Sequence, residues 1–482
     1  MAQQNLAPPT QSTKRMSFVG AEQLRGSDTT KDQRFVNFMP EEVASTEGAG
    51  SGITKKVYIK TRPGLTSAYV LPNLVPRGMF FWEISGGHVM SVVGNSVYYE
   101  NVFLANISTS TGPCGFTEYL DSTGTRFLIL LDGINGYIFT TYNAVPTAIA
   151  SPNFPSPHIP VPVFLDGYLF VGKAGSQDVY NSDLNAPANW TAGSYLSAEM
   201  YPDILVSLSK NNNYIYAIGA DSIEYFYDNA NATGTPLAKH QAAVQQFGTA
   251  AVGSVVQTDL EVFMIGKTSQ GGLTVWSLSG FKADEISNTT IRFALDAEGP
   301  AITNASAYSI RVSGQKLYVI TLTSRVLVYG VDTKRWTEWS FINTPQITCD
   351  SNMGYPYALV NNGVNTYIAK MDPTVFTDLG VTNTGTIVTN RYDFETIDRK
   401  RCNELVVIGD AVNNGVDTSL SIQWSDDDYL TWNTPVNLAL SSGYSGIRRL
   451  GMFRRRSFKF TYSQPYPWRA EGIEITTDKG IN

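Results

Sequence analysis

One pattern returns seven times along this 482-residue chain: an alternating strand, a turn rich in Gly, Asn or Asp, and a second alternating strand. It runs through HVMSVVGNSVYYEN from 88, RFLILLDGINGYIFTT from 126, GYLFVGKAGSQDVYNS from 167 and NYIYAIGADSIEYFYDN from 213. It continues through LEVFMIGKTSQGGLTVWSLSG from 260, KLYVITLTSRVLVYGVD from 316 and PYALVNNGVNTYIAKMD from 356. With Val89, Phe127, Leu169, Ile215, Val262, Leu317 and Ala358 as equivalent points, the spacings are 38, 42, 46, 47, 55 and 41 residues. That is the period of propeller blades, whose sheets repeat around an axis and leave only short edges. The chain is therefore expected to be all-β, with a six- or seven-bladed β-propeller over residues 51–382. ITKKVYIK at 53–60 is available as an extra strand, and residues 1–50 are expected to form an extended, partly disordered segment.

A helical period of 3.6 is hard to find anywhere, and the composition agrees. Aromatic residues reach 12%, with 41 Gly and 23 Pro, a mixture that favours short strands and tight turns. Around residue 380 the rhythm changes to longer strands, predicting a C-terminal β-sandwich-like domain over 383–482. That segment holds 12 Lys and Arg against 12 Asp and Glu, so the first 382 residues, with 23 against 30, carry the whole net charge of -7. Such a balance argues against gripping DNA over a broad surface, which depends on clustered cations displacing counterions. The basic residues of the C-terminal segment do cluster, as Arg399, Lys400 and Arg401, then Arg448 and Arg449, then Arg454, Arg455 and Arg456. They are candidate interface residues, weighed against the plainer reading of a solvated strand face.

The most chemical-looking stretch is SDDDYLTWN at 425–433. SLSIQW before it puts Leu420, Ile422 and Trp424 on one face of a strand, so the carboxylates fall in a hairpin turn. Adjacent residues of an extended chain point to alternating sides, so Asp426, Asp427 and Asp428 cannot converge as two glycosidase carboxylates must. The alternate acids and sharp-turn glycine of an EF-hand loop are missing as well. The segment resembles an Asp-box, S-x-D-x-G-x-T-W, through Ser425, Asp427, Thr431 and Trp432, with Tyr429 where glycine is usual. Its expected role is structural, the aspartate bonding the turn's own backbone.

No other catalytic pattern is readable. The three histidines, His88, His158 and His240, have no metal-ligand spacing around them. Cys114, Cys349 and Cys402 lie too far apart to suggest a zinc ribbon or disulfide framework, and are expected as buried thiols of a protein made in a reducing cytoplasm. No apolar run approaches the ~18 residues of a membrane span, so a soluble chain is expected. No enzyme activity, cofactor or metal is anticipated.

Several segments taken in order resemble a known family. They are QRFVNFMPEEV at 33–43, RPGLTSAYVL at 62–71, VVGNSVYYEN at 92–101, VYGVDTKRWTEWSF at 328–341, and IQWSDDDYLTWN followed by RRLGMFRRRSFKF. The chain is similar to the packaged-DNA stabilisation proteins, also called tail hubs or nozzles, of short-tailed bacteriophages. The resemblance implies a virion protein synthesised in the bacterial cytoplasm and assembled as a homo-oligomeric, six-fold ring. That ring would sit below the portal–adaptor connector and touch the tail needle or plug and the fibre or spike proteins. It would extend the conduit for double-stranded DNA, without binding it specifically, and retain the genome until ejection. Two alternatives come from other classes: a propeller glycosidase of the sialidase type, suggested by the Asp-box, and a carbohydrate- or receptor-binding module using aromatics such as those of YSQPYPWR at 462–469.

Overall fold

A computed structural model describes residues 11–18, 34–45, 54–231, 233–258, 260–268, 270–351, 353–412, 418–441 and 444–479. The chain divides into two units. One comprises Met1–Leu65, Val328–Ser340 and Asp372–Asn482; the other comprises Thr66–Leu327 and Phe341–Met371.

The second unit is a β-propeller. Each residue taken above as an equivalent point lies in the second strand of its blade: His88–Val93, Arg126–Leu131, Tyr168–Gly172, Tyr214–Gly219, Val262–Thr268, Gln315–Thr321 and Tyr357–Asn361. These strands carry near-continuous apolar runs because both of their faces are covered by neighbouring blades. Blades 1 and 2 share Trp82, Met90, Leu128 and Phe139. Blades 2 and 3 share Tyr119, Ile129, Leu169 and Val171, blades 3 and 4 Phe170, Leu208 and Phe226, and blades 4 and 5 Tyr216, Tyr225 and Met264. Fully burying each such side chain contributes roughly 1.5–3 kcal/mol, so these shared cores hold the blades in register.

The ring is closed by packing and by strand pairing. Its seven innermost strands, Pro76–Trp82, Gly115–Leu120, Val163–Leu165, Leu205–Asn211, Val256–Gln257, Ser306–Val312 and Ile347–Cys349, each neighbour the next, and the last neighbours the first. Blade 7 shares a core with blade 1 through Leu359, Ile368, Met79 and Val89. Its outermost strand, Gly64–Leu71, comes from the chain ahead of blade 1 and pairs with Thr366–Asp372. Residues 53–60 were expected as the extra propeller strand, but this closing role falls to the strand that follows them.

The longest spacing, 55 residues, has a cause that periodicity did not reveal. An α-helix, Thr289–Ala297, and a 3₁₀ turn, Gly299–Asn304, are inserted between blades 5 and 6. Ile291, Ala294 and Leu295 form the helix's buried face, and the Asn288 side chain caps it by accepting from the Ile291 amide.

The first unit is a two-sheet β-sandwich. One sheet runs Phe38–Ser45, Thr54–Thr61, Arg469–Lys479, Lys400–Gly409, Tyr444–Arg448, with Gln11–Ser17 added beside Arg469–Lys479. The other contains Arg335–Trp339, Arg34–Val36, Gly385–Val388, Ser457–Tyr462, Ser419–Ser425 and Val436–Ala439 in that order. Alternate residues of both sheets, among them Leu405, Val407, Ile473, Ile475, Ile387, Leu420, Ile422, Phe458 and Phe460, meet in one core. At Gly472 a Cβ would lie 2.1 Å from the Met16 carbonyl oxygen, so only glycine lets the Gln11–Ser17 strand approach.

The domain limits read from the sequence, 1–50, 51–382 and 383–482, thus differ from the fold. Strands Gln11–Ser17, Arg34–Val36 and Phe38–Ser45 belong to the sandwich, as do Thr54–Thr61 and Arg335–Trp339. The rest of the expected N-terminal segment, residues 1–10, 19–33 and 46–50, lies outside the described residues.

Candidate functional site

The hairpin at 425–432 turns its three carboxylates in three directions. Asp427 stays within the turn, accepting from the Ser425 hydroxyl at 2.8 Å, the Thr431 amide at 3.0 Å and the Thr431 hydroxyl at 2.5 Å. Those bonds, the Thr431 hydroxyl foremost, then the Thr431 amide and Ser425, lower its pKa to about 2. Asp426 instead takes the Arg456 guanidinium in a fork, Nε to Oδ1 and Nη2 to Oδ2 both at 2.7 Å. Asp428 meets Arg455 at 2.7 Å and Arg391 at 3.4 Å. No two of the three share a proton or a ligand in this arrangement.

The departure from glycine at Tyr429 has a physical account. Asp428 and Tyr429 adopt left-handed φ values of 61° and 69°, a conformation that disfavours tyrosine. The Tyr429 side chain is buried and donates from its hydroxyl to the Thr389 carbonyl at 2.9 Å, which offsets that strain. Trp432 lies beside the Tyr429 ring and beneath Lys459, whose Nζ is 4.7 Å from its centroid.

Asp427→Ala is expected to loosen this turn while leaving the sandwich folded. Because the folded pKa is depressed, the stabilisation from Asp427 is fully present above the unfolded value near ~3.9 and is lost as pH falls toward about 2. The protection of the Thr431 amide, relative to its intrinsic exchange at each pH, should therefore fall across that window in the wild type and be low throughout in the variant. Unchanged protection at Thr431 would remove the Asp427 bond from the account.

A larger polar centre, not singled out from the sequence, surrounds Arg62. Its side chain is 1% exposed and its partner Asp378 5%. Arg62 donates to Asp378 Oδ1 at 3.1 Å and Oδ2 at 2.5 Å, to Asn37 Oδ1 at 2.8 Å and to Asn383 Oδ1 at 3.1 Å. It also donates to the carbonyls of Pro63 at 2.8 Å and Ser340 at 2.7 Å. Asn37 in turn donates to the Ser340 hydroxyl and the Thr384 carbonyl. One guanidinium thereby fastens four separate stretches of the sandwich unit, which its rigid fork of five donors suits.

The basic clusters divide into interior and surface residues. Arg456, 1% exposed, also donates to the Leu450 carbonyl at 2.8 Å and lies over the Phe453 and Trp424 rings. Lys400 is buried too, its Nζ donating to the carbonyls of Thr396 and Asp398, with burial lowering its pKa. These two hold the sandwich together and offer nothing to an outside partner. Arg448 and Arg455 are exposed but paired, with Glu404 and Asp428. Arg399, Arg401 and Arg449 are exposed and make no ion pair among the described residues, and Arg454 donates to the Ile397 carbonyl.

Other sequence candidates have ordinary surroundings. His88 stacks on Tyr142 and approaches Glu100, His240 stacks on Phe281, and buried His158 accepts from the Gly133 amide. Cys114 and Cys402 are buried, and Cys349 is partly so. In the YSQPYPWR segment Tyr462 and Trp468 are core residues and Tyr466 packs against them, so the first two rings have no free face for a sugar. Among the described residues no group of three His, Cys, Asp or Glu side chains is arranged to hold a metal, and no helix is long and apolar enough to cross a membrane.

The chain thus combines a closed propeller and a sandwich, each densely packed, with the buried Arg62 and Arg456 of the sandwich satisfied internally. The chain belongs to the phage family described as Bacteriophage P22 Gp10, beta-propeller, whose model matches residues 22–361, and it is a structural tail protein that stabilises packaged DNA. No curated protein matches the chain. Among solved structures it is similar to the N-terminal domain of Nup159, at 11% identity and TM-score 0.37 over 65% of this chain and 95% of that one. It is also similar to an exo-β-1,3-galactanase from Phanerochaete chrysosporium, at 10% identity and TM-score 0.26 over 74% of this chain and 98% of that one. Scores this low decide nothing about activity.

Proposed function

We propose that several copies of this chain assemble as a ring below the portal and its adaptor, with the DNA passing between copies along the ring axis. The observation that carries this reading is the size of the propeller bore. Neighbouring innermost strands approach within 8 Å, Cα to Cα, all the way round. Taken as the sides of a regular heptagon, seven such steps give a bore of roughly 18 Å between Cα atoms, before any side chain is added. B-DNA is roughly 20 Å across, its major groove alone being about 8.5 Å deep, so a duplex does not thread a single propeller. A conduit for DNA then has to be built by several subunits, each contributing a rigid wall.

Charge supports the same reading. With 23 basic against 30 acidic residues up to 382, the chain has no broad cationic field to hold phosphates, so DNA slides past rather than sticking. The ring's copy number is six in this proposal, and its neighbours are the adaptor, the needle or plug and the fibres or spikes. Electron cryomicroscopy of the tailed particle tests it. Copies ringed about axial duplex density support the proposal, and a single copy or an off-axis position overturns it.

A further inference from the structure

We infer that the arginine-rich end of the sandwich of one copy docks on the acidic face of propeller blades 2 to 4 of the next copy, a contact that rests on the ring proposed above. The basic surface is formed by Arg399, Arg401, Arg449 and Arg454, all exposed and all without a carboxylate partner among the described residues. Two apolar side chains are bare beside them. Ile397, whose carbonyl holds Arg454, is 77% exposed, and Met452, cross-strand from Arg401, is 47% exposed. Lys400 and Cys402 point inward on either side of Arg401, which fixes that arginine on the outer face of its strand.

The complementary surface lies where the turns of blades 2, 3 and 4 meet. The blade 2 turn is tied to blade 3 by the Ser122 amide donating to Asn185 Oδ1 at 3.0 Å and by Tyr119 donating to the Gly167 carbonyl at 2.6 Å. Asp121, Asp166 and Asp183 each stand within two residues of the groups that make these bonds, and Asp228 acts electrostatically on the nearby Tyr168. Burial first, and then the charges of Asp228 and Asp183, raise the pKa of Tyr168; burial and then Asp121 push Tyr119 up to about 12. Lys210 interacts electrostatically with Asp166, but its ammonium is half-buried and turned to the Phe164 carbonyl. Leu120 and Leu184 are bare within the same face, Leu184 being 54% exposed.

Each surface therefore combines an excess of one charge with uncovered aliphatic side chains, Arg126 opposite Leu120 and Asp478 opposite Arg401 being the cross-strand exceptions. The aliphatic part selects a protein partner over DNA, because phosphates reward only the cations, whereas a protein interface buries apolar area beneath a polar rim. The opposite charge selects a second copy of this chain. A contact between two different patches is heterologous, and heterologous contacts generate a ring when the rotation from copy to copy closes.

The test uses the full chain in three forms: Arg399→Glu with Arg401→Glu and Arg449→Glu, Asp166→Lys with Asp183→Lys, and both sets combined. Thermal unfolding first establishes that each variant is folded, with Arg401→Gln alone as a milder probe. Sedimentation should show each single set weakening self-assembly by about tenfold or more, and the combined swap restoring it. Assembly unchanged by either set, or a combined variant no better than its parents, overturns the inference while leaving the ring intact. A wild-type chain that never assembles, even on the adaptor, overturns the ring reading and this contact together. Loss of duplex binding in a gel-shift assay with assembly unaffected makes the arginines a nucleic-acid site, which overturns the inference as well.

Discussion

Arg62→Met is expected to destabilise the sandwich unit by about 3–5 kcal/mol, the range found when one member of a buried ion pair is removed. Asp378, 5% exposed, loses the cation that compensates it, and the acceptors on Asn37, Pro63, Ser340 and Asn383 lose their shared donor. No single water can replace a fork that reaches all of them at once. Denaturation followed at the unit's tryptophans should show a lower midpoint for the variant. Adding Asp378→Leu should recover part of the loss, because the orphaned charge is then gone as well. A midpoint that does not move would mean that Arg62 is satisfied by water and fastens nothing.

The second large effect is expected at Arg456. Arg456→Ala should destabilise the unit by about 3 kcal/mol, the sum of a core cavity and an uncompensated network. Asp426 itself is 40% exposed, so solvent takes up part of its loss, and most of the effect comes from the buried side of the arginine. There the Leu450 carbonyl loses its donor, and the Phe453 and Trp424 rings lose the plane that covers them. Arg456→Lys keeps the charge without the fork and should fall between the two. Arg401→Ala is the control: with an exposed side chain lacking an ion pair, it should leave the midpoint within about 0.5 kcal/mol of wild type. Equal midpoints for Arg456→Ala and Arg401→Ala would contradict the division of the basic clusters into interior and surface residues.

The propeller was legible because its information is local. Each repeat contains a hairpin with a short turn, so Leu169 or Ile215 can be placed on a strand from neighbours within ten residues, though the inner strand ahead of it was not read. The Asp-box turn was legible for the same reason, since Ser425, Asp427 and Thr431 bond within seven residues. The sandwich was legible as a C-terminal β domain but not in its extent, because its strands are collected from both ends of the chain. Gln11–Ser17 pairs with Arg469–Lys479, and Arg34–Val36 lies between Arg335–Trp339 and Gly385–Val388. No periodicity encodes a partner more than 300 residues away. Arg62 was missed on the same grounds, for its side-chain partners are 25 to 321 residues distant. Lys400 and Arg456 read as surface charge because a run of cations in sequence says nothing about which of them points inward.

The central claim is that DNA runs between copies of this protein and not through its propeller. Electron cryomicroscopy of DNA-filled particles, resolved well enough to place the seven innermost strands, addresses it most directly. The expected map has axial duplex density enclosed by a ring of subunits, with each propeller bore free of duplex. Duplex density inside a propeller bore, or a genome path that bypasses the ring, would contradict the account.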